Sequence, residues 1–206
     1  GEFTNLNFYY SHPFEDGSGR EMQNWRDGLY GFMVDLKKPE ALVSHLLAEF
    51  TYTKNMSGDK IDDGYTGPDK ITGRGRDNYF NGSHSGWTYF GNTIGSPYFT
   101  AKPVDENGIT DGVIVGDNRF MAFNIGVKGR LHHINYKALI SHVTYFGWFD
   151  NAYTQKPKQL TGLLEFHIPQ FHNIPFEIHI GGSFDTGTYS PVNFGGFLTL
   201  TRRGSF

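Results

Sequence analysis

The sequence predicts an all-β protein built from antiparallel strands, and three observations support this. Apolar and polar residues alternate one by one over long stretches, which is the period of a strand and not of a helix. The connections between these stretches fall into a short class and a long class. The 206 residues are also rich in glycine, with 27, and in aromatic residues, at 17%. We expect residues 1–206 to form a single β domain, either a whole barrel or a fragment of one such as its C-terminal portion, with no linker or repeat.

The predicted strands follow one another along the chain, roughly eight to ten in number and longer than most strands of soluble proteins. Residues 38–50 also allow a helix beginning at Pro39, but Leu42, Leu46 and Phe50 share one parity and favour a strand. The clearest strands cover residues 6–10, 30–36, 42–52, 121–128, 136–148, 160–168, 176–181 and 195–203.

The connections indicate a barrel in an outer membrane. Short turns are predicted at residues 37–40, 129–135 and 173–175, and long loops at 54–80, 90–117 and 149–159. Tight turns on one side and long loops on the other are typical of outer-membrane β-barrels, and a strand that leads to a terminal Phe206 also occurs in them. No stretch has the roughly 18 apolar residues that a spanning helix needs. A soluble β-sandwich or β-barrel shows the same alternation of apolar and polar residues, and it remains the alternative fold.

Charged and imidazole side chains lie in the middle of several predicted strands, on the face opposite the apolar residues. In a membrane barrel they would line a polar lumen, and the aromatic clusters near strand ends, such as residues 8–10 and 145–146, would form interfacial girdles. A water-filled channel or transporter is then an alternative function. The predicted lumen-lining residues are Glu49, Glu165, His167, Glu177 and His179.

Residues 73–90 combine arginine with aromatic and amide side chains in a predicted loop. Aromatic faces stack on the C–H surfaces of sugars, and the arginine fork matches the carboxylate of an acidic sugar. The alternative is a loop whose aromatic residues pack on their own scaffold. The predicted ligand-binding residues are Arg74, Arg76, Asp77, Tyr79, Trp87 and Tyr89.

Composition and motifs argue against several other classes. The formal net charge of −3 gives no basic footprint for nucleic acid, and the absence of cysteine excludes disulfides and thiolate sites. Catalytic motifs are absent, so we expect no enzymatic activity, no cofactor and no metal. Glu165 and Glu177 admit a glycosidase-like carboxylate pair, but the preferred interpretation is that they line a wet lumen or pair with His167 and His179.

Five stretches resemble the C-terminal half of the Wzi-like capsule-assembly proteins of Bacteroidetes outer membranes. The most specific is GWTYFGNTIGSPYFT at residues 86–100. The others are FEDGSG at 14–19, LAEFTYTK at 47–54, DNYFN at 77–81 and DNRFMAFNIGVKG at 117–129. The resemblance implies a large, non-catalytic outer-membrane barrel that acts in capsule or surface-polysaccharide attachment, with no residue-level site to carry over.

The expected partners follow from these interpretations. They are a surface polysaccharide and the lipid of the bacterial outer membrane. Members of the resembled family have more strands than this chain supplies, so we also expect a second outer-membrane chain that completes or accompanies the barrel. A soluble carbohydrate-binding protein is the remaining alternative.

Overall fold

The computed structural model describes residues 4–13, 15, 17–56, 79, 88–89, 92–93, 97–101, 115–148, 152–170 and 176–202. Twelve strands and one short helix lie in these ranges. They are β1 (Asn5–Ser11), α1 (Gly17–Arg20), β2 (Gly28–Asp35), β3 (His45–Tyr52), β4 (Thr88–Tyr89), β5 (Asn92–Thr93), β6 (Thr100–Ala101), β7 (Val115–Asp117), β8 (Phe120–Leu131), β9 (Ile134–Tyr145), β10 (Lys158–Ile168), β11 (Glu177–Gly187) and β12 (Asn193–Thr201). No helix in these ranges has the length and apolar character needed to cross a membrane.

Eight of the strands form one antiparallel sheet in the order β1-β2-β3-β8-β9-β10-β11-β12. The prediction of an all-β antiparallel fold is therefore confirmed. The other four strands form two small hairpin sheets, β4-β5 and β6-β7. Within the described residues, β1 and β12 do not pair with each other, so the large sheet is open.

The connections differ between the two ends of the sheet. Residues 36–44, 132–133 and 169–176 connect strands at one end, which we call the turn end. Residues 12–27, 53–119, 146–157 and 188–192 connect strands at the opposite end, which we call the loop end. The alternative helix near Pro39 is wrong, because β3 begins only at His45 and residues 36–44 form a turn. That turn is closed by the bond from Leu36 N to Ser44 O, 2.9 Å.

The predicted strand over 136–148 ends earlier than expected. β9 stops at Tyr145, and Phe146 N donates to Arg119 O at 2.9 Å, outside the β9–β10 ladder. Gly147 follows with a φ of 69°, a conformation that a residue with a side chain adopts only under strain, and it forms an isolated antiparallel bridge with Ala152.

The two faces of the sheet differ in chemistry, and the apolar face is the exposed one. On β8 this face carries Phe123, 50% exposed, and Ile125, 61% exposed, while the opposite face carries Phe120 and Ala122, both fully buried. We call these the apolar face and the polar face. Large exposed residues on the apolar face are Leu6, Phe8, Tyr10, Tyr30, Leu46, Phe123, Ile125, Leu131, Ile140, Leu164, Phe166, Ile180, Phe194, Leu198 and Leu200.

Aromatic rings form a continuous row over four strands of the apolar face, β1, β2, β3 and β8, near the loop end. Tyr10 lies 4.9 Å from Tyr30 between ring centroids, Tyr30 lies 6.3 Å from Phe50, and Phe50 lies 4.6 Å from Phe123. The expected girdle residue Tyr145 is not part of this row. It is buried on the polar face and stacks on Tyr189 at 4.1 Å.

A small apolar cluster, which we call the loop core, covers the polar face at the loop end. It joins sheet residues to side chains from the long connection that follows β3. Its members are Met56, Tyr79, Phe99, Phe120, Ala122, Val143 and Tyr145, with Tyr98 and Tyr189 packed against them. The long connection is therefore anchored on the polar face, not on the apolar one.

Candidate functional site

The polar face carries a charged cluster near the turn end. Lys137 on β9 lies opposite Glu165 on β10, and its Nζ is 2.6 Å from Glu165 Oε2. His179 on β11 approaches the same carboxylate oxygen at 3.7 Å. Glu165 is largely shielded from solvent, so this carboxylate is held by a cation across one strand pair and an imidazole across the next.

A second imidazole–carboxylate pair extends the cluster. His167 lies opposite His179 across β10 and β11, with ring centroids 6.2 Å apart, and His167 Nε2 is 3.8 Å from Glu177 Oε2. Glu165 lies opposite Gly181, four residues along β11 from Glu177, which is about 13 Å of strand. Their backbone separation and separate imidazole partners argue against a glycosidase pair and favour the expected pairing with histidine.

Glu49, the remaining residue of the predicted lumen set, lies on the polar face of β3. It accepts a hydrogen bond from the Tyr9 hydroxyl of β1, and Gly31 lies between them on β2. A side chain at position 31 would meet the ring of Tyr9, so the glycine makes this contact sterically possible. The whole predicted set thus lies on one face. That this face lines a closed lumen stays a prediction.

A cavity of about 690 Å³ lies against the polar face between the sheet and residues 97–99. On its sheet side, this cavity is lined by both polar and apolar side chains. The Tyr98 hydroxyl enters it, bonding the side chain of Asn124 and, at 2.9 Å, that of Ser141. The sheet residues that line it from the polar face are Ser11, Leu29, Leu47, Glu49, Thr51, Asn124, Leu139, Ser141, Thr161 and Leu163.

Most of the predicted ligand-binding loop lies outside the described residues. This applies to Arg74, Arg76, Asp77 and Trp87, and for Tyr89 the structure gives only its place in β4. Tyr79 is described, and it is 1% exposed, with its ring packed in the loop core. A buried ring offers no face to a sugar, so the prediction of Tyr79 as a stacking platform is wrong.

Tyr79 instead binds a buried carboxylate that the sequence analysis missed. Its hydroxyl donates to Asp27 Oδ2 at 2.9 Å and accepts from Asn24 Nδ2 at 2.9 Å. Asn55 N donates to the same Asp27 oxygen at 2.8 Å, while Asp27 Oδ1 has no partner among the described residues. Asp27 therefore ties the long connection after β3 to the turn before β2.

Burial raises the pKa of the Asp27 carboxyl to about 6, against the lowering effect of its hydrogen bonds. The folded state then binds a proton more readily than the unfolded state, so the free energy of unfolding should increase as pH falls from 7 through 6 towards 4. Each unit of pKa shift corresponds to about 1.4 kcal/mol at most. In denaturant unfolding, the Asp27→Asn variant should not show this rise in the free energy of unfolding at lower pH. If the free energy of unfolding changed equally with pH in the variant and the unmodified protein between pH 5 and 7, the prediction would be contradicted.

Among the residues that the structure describes, no group of three or more histidine, aspartate and glutamate side chains is arranged to hold a metal ion. On the polar face, the described side chains form hydrogen bonds, ion pairs and aromatic contacts. This arrangement suits binding or selective passage of a polar solute.

Comparison of the chain with protein-family models, with curated proteins and with solved structures gives no match. The resemblance to the Wzi-like capsule-assembly proteins therefore stays a prediction.

Proposed function

We propose that this chain forms part of the wall of a bacterial outer-membrane β-barrel, which acts without catalysis in the assembly or attachment of a surface polysaccharide. The observation that carries the membrane part is the exposed apolar face opposite a face with ion pairs. A soluble sheet has the reverse arrangement, with its polar face towards water.

The size of the apolar face supports lipid as its neighbour. Eight strands spaced about 4.8 Å apart span about 38 Å, so the face covers on the order of 1,000 Å². Soluble monomers rarely expose a contiguous apolar patch larger than a few hundred Å². The aromatic row from Tyr10 to Phe123 lies at the loop end of this face, where the rings of an interfacial girdle are expected.

The open sheet supports the proposal of an additional partner chain. Unpaired backbone groups at an edge strand are not tolerated in the hydrocarbon layer, so β1 and β12 must be paired in a membrane. A second outer-membrane chain would supply that pairing.

The polysaccharide part of the proposal is supported by the resemblance at residues 86–100 and by the hydroxyl, amide and carboxylate groups of the polar face. Deleting the gene that encodes this chain in its source cell should release surface polysaccharide into the medium, while the total amount of polysaccharide synthesised stays the same. Re-expression should restore attachment. Full retention of polysaccharide in the deletion strain, or recovery of the chain in the soluble fraction, would contradict the proposal.

A channel is the second candidate, and the charged cluster around Glu165 favours it. The loop core opposes it, because side chains from the long connection cover the polar face at the loop end. Conductance of the purified protein in a planar bilayer, with an ion selectivity altered by Glu165→Gln, would favour the channel. No conductance, together with loss of polysaccharide attachment in the deletion strain, would favour the first proposal.

A further inference from the structure

The polar face contains one row of residues that crosses the entire sheet, and Glu49 is its only member among the predicted lumen-lining and ligand-binding residues. Each strand contributes the residue directly opposite its neighbour in the register. In sheet order the row is Tyr9, Gly31, Glu49, Asn124, Ser141, Thr161, Asp185 and Asn193. Apart from Gly31, every member carries a hydroxyl, an amide or a carboxylate. We call this set the polar row.

Hydrogen bonds already connect members of the polar row to each other. Tyr9 donates to Glu49, and Thr161 Oγ1 donates to Asp185 Oδ1 at 2.9 Å. Gln159 Nε2 reaches the same Asp185 oxygen at 2.7 Å. The row is therefore a prearranged band of donors and acceptors at the strand spacing of about 4.8 Å, which is close to the length of one sugar ring.

Apolar side chains lie immediately beside this band towards the turn end. Leu47, Leu139 and Leu163 occupy the next row on their strands, and they line the same cavity as Glu49, Asn124 and Thr161. A polar band next to an apolar band matches a ligand whose hydroxyl edge and C–H face are adjacent, as in a saccharide.

A hydroxyl group already occupies the middle of the polar row. Tyr98 comes from outside the sheet, and its phenol oxygen bonds both Asn124 and Ser141. Its ring packs on Phe120 at 5.3 Å between centroids. The row thus binds one hydroxyl of the chain itself, in a cavity of about 690 Å³, a size typical of small-ligand sites.

The charge of the row selects among ligands. Glu49 and Asp185 are its ionisable acidic members, and the row contains neither lysine nor arginine. Carboxylates accept hydrogen bonds from neutral hydroxyl groups and repel the carboxylate of an acidic sugar. From this we infer that the polar row is a binding site for a neutral, polyhydroxylated glycan segment, which displaces the Tyr98 hydroxyl from Asn124 and Ser141. This inference rests on the proposed function.

The test is calorimetric titration of the full chain in detergent micelles, with maltoheptaose as the neutral probe and heptagalacturonate as the acidic one. Maltoheptaose should bind, and heptagalacturonate should bind at least tenfold more weakly. Glu49→Gln and Thr161→Val should each weaken maltoheptaose binding about fivefold or more. Tyr98→Phe should tighten it several-fold, because the competing hydroxyl is removed. A purely structural role of Tyr98 would not produce tighter binding.

Asp35→Asn is the matched control, because Asp35 is a carboxylate on the polar face of β2 but two rows away from the polar row. It should leave maltoheptaose binding unchanged. Equal binding of the two probes, equal weakening by Asp35→Asn and Glu49→Gln, or no binding to either the unmodified chain or Tyr98→Phe would overturn the inference. These outcomes leave the proposed function standing if the deletion strain still releases its polysaccharide. Retention in that strain would instead contradict the proposed function itself.

Discussion

Replacing Ile140 with arginine is expected to lower the free energy of unfolding in a lipid bilayer by about 2–4 kcal/mol, the cost of an arginine near the midplane of a membrane barrel. Ile140 lies midway along β9 on the apolar face, between Ile125 and Gly162 of the neighbouring strands, and is 49% exposed. In lipid this side chain would contact acyl chains, where a guanidinium loses its hydration.

The matched control is Thr161→Arg, one residue along from Gly162 on β10 and on the opposite face. There the guanidinium would lie beside Asp185, whose carboxylate Thr161 already contacts, so we expect a change within about 1 kcal/mol. Denaturant unfolding in liposomes, followed by far-ultraviolet circular dichroism, measures both variants. Equal losses for Ile140→Arg and Thr161→Arg would show that the apolar face does not contact lipid.

Replacing Tyr79 with alanine is expected to destabilise the loop core by about 3–5 kcal/mol, the usual cost of removing a large buried aromatic ring. The ring packs on Phe99 at 6.2 Å between centroids, and its hydroxyl is one of the groups bonded to Asp27. Without it, the connection after β3 loses its anchor while the sheet itself keeps all of its ladders. We expect faster proteolysis within residues 53–119 and an unchanged far-ultraviolet spectrum.

Tyr79→Phe is the control for this prediction, because it keeps the ring and removes only the hydroxyl. The loss should be about 1–3 kcal/mol, the cost of an unsatisfied buried partner, here Asp27. If alanine and phenylalanine at position 79 gave equal proteolysis rates, the packing of the ring would not hold the long connection in place.

Period-two alternation was sufficient to predict the sheet and its two faces. The predicted strand at 121–128 lies inside β8, and the predicted strand at 160–168 matches β10 closely. Parity along each strand also placed Glu49, Glu165 and His179 opposite the apolar residues. These features are local, since side chains two residues apart share a face of a strand whatever the rest of the chain does.

The sequence could not predict contacts that depend on the path of the long connections. Tyr79 and Asp27 are 52 residues apart, and Tyr98 lies 43 residues from Ser141, so no local period relates them. The polar row could be identified only from the register of every strand, because a shift of one residue in the register moves the side chains of that strand to the other face. Pro97, Tyr98 and Phe99 drew attention only as part of the resemblance at residues 86–100.

The membrane orientation of the apolar face is tested most directly by labelling single cysteines along β8, because the chain has no cysteine of its own. Variants at Phe123, Asn124, Ile125, Val127 and Lys128 would carry an environment-sensitive fluorophore in proteoliposomes. Labels at 123, 125 and 127 should be blue-shifted and quenched by a lipid-phase quencher, and labels at 124 and 128 should not. No alternation, or quenching confined to 124 and 128, would contradict the account.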